Sequence, residues 1–186
     1  MAVEIVPMSV ETTAIEGLLV ITTKAVTDER GTVREFFRTS SFGEYGVPAS
    51  WQQVNMTWTQ HGGVRGLHGE TMTKLVGIAH GEAFGAYVDA RPGSSTRGSV
   101  VTQRLVPGIQ VLVPSGVCNG FQAVSEPGCQ YLYCFDKEWA AGMTGVAINP
   151  LDPALDILWP VEVDRTDPAQ VSAKDAAAPL LADLPG

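Results

Sequence analysis

What this chain has little of narrows its chemistry. Only three cysteines occur in 186 residues, Cys118, Cys129 and Cys134. Their odd number and irregular spacing suit neither a zinc-thiolate site nor a disulfide framework, so a reducing, cytoplasmic setting is the simplest expectation. Histidine is as scarce, with three residues, and no H-x-H pair of the kind a metal-binding barrel uses to converge imidazoles on one ion. Apolar runs are short. None approaches the ~18 residues needed to span a bilayer, and the N-terminus lacks the charged-then-apolar order of a leader. Basic residues are few, 12 Lys and Arg against 20 Asp and Glu, giving a net charge of −8. Such a field repels nucleic acid and anionic membranes, so neither is an expected partner. Any phosphate-bearing ligand must be gripped by a local group of cations working against that field.

What is present is turn chemistry and short apolar strands. The chain carries 20 glycines and 12 prolines, with 45% hydrophobic residues. At this length one domain spanning 1–186 can bury its own core. "GLLVITT", "TVREFFRTS", "WQQVNMTWT", "VRGLHGE", "TKLVGIAH", "VLVPSGVCNGF" and "CQYLYCF" recur about every ten residues, with "DERG", "HGE" and proline-glycine turns between them. That rhythm predicts an all-β sandwich or barrel of jelly-roll type. "HGE" between two apolar runs reads as a hairpin, and "SFGEYGVPAS" as a loop holding a short helix. "SAKDAAAPLLADL" places helix formers after a serine and predicts a short C-terminal helix packed on the barrel.

Within "GVRGLHGE", strict strand alternation would put Arg65 and His68 on opposite faces. A shared face requires a bulge, which Gly66 permits. Residue type alone leaves three readings. His68 is a hydrogen-bonded core histidine beside a rim arginine; or one of several metal ligands, for which His61 and His80 are poor companions; or an acid–base group whose tautomer is fixed by a carboxylate from elsewhere in the chain. Ser172 followed by Asp175 resembles a capping box, Tyr133 fits an aromatic core strand, and Lys74 fits a solvated rim. The cysteines read as small buried side chains, because no adjacent base is visible.

The ordered set "VRGLH", "KLV…GE…VD.R", "PSGVCNGF", "YLY", "DPALDILWP" and "SAKDAAAPLL" resembles the dTDP-4-dehydrorhamnose 3,5-epimerases, the RmlC-like branch of the cupins, over about residues 17–181. The resemblance implies a jelly-roll β-barrel with short C-terminal helices, a homodimer exchanging N-terminal strands, a dTDP-sugar substrate, and no metal or other cofactor. It implies His68 as catalytic base, Asp175 as its paired carboxylate and Tyr133 as the acid on the opposite face of the sugar. Arg30, Glu35, Gln53, Asn55, Arg65, Lys74, Asn119, Trp139 and Lys174 fall at positions resembling the substrate-binding set. Trp139 either stacks on a nucleobase or caps the barrel.

Three departures from the family pattern bear on the site. Asn119 stands where the family usually has histidine, Gly69 and Glu70 replace an aromatic-glutamine pair, and "CFDKEW" follows Tyr133 in place of the usual run. An asparagine donates hydrogen bonds but exchanges no proton near neutral pH. The implied activity is therefore epimerisation of a dTDP-4-keto-6-deoxyhexose at C3, C5 or both. The alternatives are a single-centre epimerase, a 3,4-ketoisomerase, a non-catalytic sugar-nucleotide-binding cupin, and a metal-dependent cupin.

Overall fold

The computed structural model describes residues 3–185. Strands follow in chain order as β1 (Glu4–Val6), β2 (Ser9–Thr12), β3 (Leu19–Thr22), β4 (Ala25–Asp28), β5 (Gly31–Arg34), β6 (Gln53–Gln60), β7 (Val64–Glu70) and β8 (Lys74–His80). They continue as β9 (Ala83–Asp89), β10 (Val100–Leu105), β11 (Ile109–Val113), β12 (Val117–Ala123), β13 (Gly128–Phe135) and β14 (Gly145–Ala147). A six-stranded sheet runs β2-β3-β11-β8-β13-β6 and a five-stranded sheet β10-β9-β12-β7-β14, with β1-β4-β5 forming a small third sheet. Helix is confined to short pieces, among them α1 (Thr39–Phe42) and α2 (Ala173–Ala176).

The two large sheets are the halves of a jelly roll. Between them Val76, Val111 and Tyr131 of the six-stranded sheet pack with Tyr87, Leu105 and Phe121 of the five-stranded one. These side chains are fully or almost fully buried. Truncating one such leucine to alanine costs about 2–5 kcal/mol, so this layer carries much of the stability. The outer faces are covered too. Leu67, Val88, Cys118 and Ile148 lie under the 146–159 segment and the C-terminus, and Ile21, Leu75 and Leu112 lie under Phe42 and Val47. Central strands β8 and β12 are therefore covered on both faces, which is why they are buried along most of their length rather than at alternate residues.

One local expectation is corrected. "HGE" joins β8 to β9, but the strands belong to different sheets, so this is a crossing between layers and not a hairpin. The apolar runs on either side look the same in both cases. Only the non-local partners, β11 and β13 for β8 and β10 and β12 for β9, decide it.

The bulge expected at Gly66 is present. His68 pairs with Asn119 and Arg65 with Phe121, so three steps along β7 match two along β12. Gly66 adopts φ 119°, and a Cβ there would sit 2.6 Å from Gly120 Cα. A Cβ on Gly120 would in turn meet Arg65 O at 2.6 Å. Two bare α-carbons let the strands touch, and the extra residue turns Arg65 and His68 to the same side.

Candidate active site

That side opens on a cavity of about 680 Å³ between β6, β7 and β13 on one hand and residues 168–175 on the other. A recess of about 50 Å³ adjoins it, sharing Arg65, His68, Glu70, Tyr133 and Phe135 and ending on Lys74 and Asn119.

His68 is held from behind. Its Nε2 lies 2.7 Å from Asp175 Oδ1, although the residues are 107 apart in sequence. Several bonds bring the C-terminal segment there: Val64 N–H donates to Gln170 O, Asn149 Nδ2 to Ala176 O, and Leu181 N–H to Asp152 Oδ2. Ser172 Oγ caps α2 by accepting from Asp175 N–H, which leaves the Asp175 carboxylate free for the imidazole. The capping and pairing readings of "SAKD" are thus both realised, by different atoms of one residue. Burial works against ionising Asp175, but the His68 hydrogen bond and charge, with Ser172 and the Gly66 N–H, outweigh it and hold the carboxyl below its ordinary value. A carboxylate only accepts, so Nε2 carries the hydrogen and Nδ1 is left as the basic nitrogen.

Tyr133 stands on β13, in register with Asn55 of β6 and Val76 of β8, and lines both the cavity and the recess. It belongs to an aromatic row in which Phe121 stacks on Tyr131 at 3.9 Å and Tyr131 meets Tyr133 at 4.7 Å. Burial in this row drives the Tyr133 phenol well above its ordinary value, with Arg65 opposing, so it stays protonated at neutral pH.

Arg65 Nε donates to Thr59 Oγ1 at 2.8 Å. Its terminal nitrogens make no other hydrogen bond among the described residues, and no other Lys or Arg among them lines the larger cavity. Gln53, Asn55 and Trp139 also line it. Gln53 bridges two of them, donating to Asn55 Oδ1 and accepting from Trp139 N–H. Trp139 is 56% exposed at the mouth, a position that suits stacking rather than a plug.

Lys74 departs from the rim expectation. It is 2% exposed, and its ammonium is shared among His68 O, Glu70 Oε2 and Asn119 Oδ1. Burial lowers its pKa, with Glu70 opposing. For Glu70 burial raises and the Lys74 ammonium lowers, with the balance below the ordinary carboxylate value. Glu70, flagged in the sequence only as a departure from the family pattern, belongs to the wall and pairs with Lys74; its position two residues beyond His68 on one strand face was the available signal for that role. Gly69, on the opposite face, is packed against Cys118 and Val146, leaving no room for the aromatic of the family pattern.

Arg30, Glu35 and Lys174 lie outside the residues lining either cavity. Arg30 sits at the tip of the β4-β5 hairpin paired with Asp28, and Glu35 pairs with Arg38. The three cysteines are buried, and burial pushes Cys118 up to about 12 and Cys129 and Cys134 to about 11. His61 pairs with Glu126, away from His68. Among the described residues no group of three or more His, Cys, Asp or Glu converges as metal ligands would, and no helix is long and apolar enough to cross a membrane.

The family model described as dTDP-4-dehydrorhamnose 3,5-epimerase matches residues 12–183. A dTDP-4-dehydrorhamnose 3,5-epimerase of Salmonella typhimurium is 35% identical over 181 residues, covering 94% of this chain and 96% of the relative. Among solved structures, an RmlC of Legionella pneumophila in complex with dTDP-4-keto-L-rhamnose is 33% identical, covers 96% of this chain and 95% of its own, and has a TM-score of 0.84. NovW of Streptomyces spheroides, a 4-keto-6-deoxy sugar epimerase from the novobiocin gene cluster, is 29% identical, covers 95% and 89%, and has a TM-score of 0.86.

Proposed function

Because the chain belongs to the dTDP-4-dehydrorhamnose 3,5-epimerase family, we propose that it inverts C3, C5 or both in a dTDP-4-keto-6-deoxyhexose, by proton transfer between His68 and Tyr133. The observation that carries this reading is the 2.7 Å His68–Asp175 contact on the wall of a cavity that Tyr133 also lines. Mere binding needs no such acid and base.

The C4 ketone of the substrate acidifies the hydrogens on its neighbouring carbons. His68 Nδ1 takes one of them, the C–H electron pair passes into the enolate, and the charge on Nε2–H is met by Asp175. Tyr133 returns a proton to the same carbon from the other side; its phenolate then recovers one from solvent and the His68 imidazolium releases one to it. Atoms balance and the centre is inverted. Arg65 supplies the cation for the diphosphate, and Trp139, Gln53 and Asn55 the outer binding surface.

One cation is thin provision for a diphosphate in a chain of net charge −8. Val54, Met56 and Trp58 form an exposed apolar row on edge strand β6, while Ile5 and Val33 are exposed on the β1-β4-β5 sheet. These features support a homodimer in which that hairpin lies over the neighbouring cavity, bringing Arg30 and Glu35 of the partner subunit to the nucleotide. The reading takes 1–186 as one catalytic domain working without a cofactor. Its buried free thiols support a reducing, cytoplasmic home.

Incubation with dTDP-4-keto-6-deoxyglucose in deuterated water, followed by proton NMR, tests the function. Deuterium is expected at C3, C5 or both, and His68→Ala is expected to lose at least about 100-fold of the rate. No incorporation with any dTDP-4-keto sugar overturns the class. Incorporation at one carbon alone identifies the single-centre enzyme that Asn119, Gly69 and Glu70 favour as the narrower reading.

A further inference from the structure

The recess beneath the sugar pocket is built around a lysine with nothing left to give. An ammonium has three hydrogens, and Lys74 spends them on His68 O at 3.1 Å, on Asn119 Oδ1 at 2.5 Å and on the Glu70 carboxylate. It has no hydrogen left for a ligand.

The same geometry fixes Asn119. An ammonium only donates, so the amide must turn its oxygen to Lys74 and its nitrogen away. Asn119 is 5% exposed and lines the recess, and its Nδ2 makes no hydrogen bond among the described residues. Nor is Nδ2 among the fully enclosed unpaired atoms. A side chain buried to this degree with two unclaimed hydrogens against an open recess is a donor waiting for an acceptor.

We infer that the Asn119 amide nitrogen is the donor for the substrate's C4 oxygen as it becomes an enolate, and that Glu70 is a positioning residue, acting through Lys74 to hold that amide. This rests on the epimerase reading above. It assigns oxyanion stabilisation to a neutral amide, with Lys74 withdrawn into a saturated pair. A buried, oriented dipole of this kind is an effective oxyanion donor because it needs no reorganisation during the reaction. The carboxylate at 70 matters because it balances the buried ammonium. Without that balance Lys74 would lose its proton or move, and the amide would be free to turn.

The test compares N119A, E70A, E70Q and the E70A/N119A double variant, with deuterium incorporation giving kcat and KM. Folding is checked by near-ultraviolet circular dichroism. N119A should lower kcat about 100-fold with KM little changed. E70A should lower kcat about 10- to 100-fold in the same manner, and E70Q, which keeps an acceptor for Lys74 but not the balancing charge, should recover only a small part of that loss. The double variant should be no slower than N119A, since Glu70 acts only through the amide. Additive losses, or an E70A loss confined to KM, overturn the assignment.

A second measurement needs no turnover. In protein labelled with ¹⁵N-asparagine, the Asn119 side-chain NH₂ resonances should shift on adding a dTDP-4-keto sugar, and the shift should vanish in E70A. A wild-type protein that shifts those resonances without exchanging deuterium sinks the epimerase reading and keeps the amide contact. One that exchanges deuterium without shifting them sinks the amide assignment alone.

Discussion

Replacing Asp175 with asparagine isolates what the carboxylate does for His68. The side chain keeps its shape, and the Ser172 cap is untouched because it is made to the backbone N–H at 3.1 Å. What changes is the charge 2.7 Å from Nε2. A hydrogen bond to a charged partner contributes about 1.5–3 kcal/mol. The Asp175 side chain is only 10% exposed, but that of His68 is 38% exposed, so solvent screens part of the gain and the lower half of the range applies. About 1.5–2 kcal/mol corresponds to a 10- to 30-fold fall in kcat, with KM nearly unchanged, because the charge that the carboxylate meets develops on the imidazole only as the proton is taken. The assay is the initial rate of deuterium incorporation at saturating substrate, alongside a melting curve. A D175N enzyme within two-fold of wild-type kcat, or one whose loss lies wholly in KM, would refute the assigned pairing.

Three further outcomes are expected. Tyr133→Phe should still exchange the substrate hydrogen with solvent, because His68 remains, but should return it to the original face, so NMR should find deuterium in substrate without the inverted product. Asp89 is fully buried and bonded by Arg91, Ser94 and Thr96. Burial opposes its charge, but these partners prevail and hold it far below the ordinary carboxylate value. Its stabilisation is therefore complete above about pH 4, the unfolded value, and is lost as pH falls toward the folded value. Asp89→Asn should cost on the order of 3 kcal/mol in urea melts at pH 7 and much less at pH 2; an equal cost at both would refute the pairing. The three thiols should ignore a disulfide reagent at pH 8 in the native protein and all react in urea, because burial keeps them protonated; prompt native labelling would contradict their burial.

The strand rhythm, the outward turn at "DERG" and the bend at Gly66 were legible because each is written within a few residues. The β8-β9 crossing was not, since its apolar flanks suit either one sheet or two. Asp175 illustrates the same limit within the site: no spacing rule links it to His68, and only the family resemblance pointed there. The rim alternative for Lys74 fails for another reason. Charged residues are solvated by default, and the acceptors that bury this one come from β7 and from β12, 45 residues along the chain.

The contact between Gly66 and Gly120 also limits how this scaffold can be diversified. Neither position accepts a β-carbon without prising β7 from β12, so variation there would dislodge His68 before it touched selectivity. Libraries seeking new sugar ranges would do better to hold both glycines constant, keep the Lys74 partners at 70 and 119, and randomise the cavity's outer positions 53, 55 and 139.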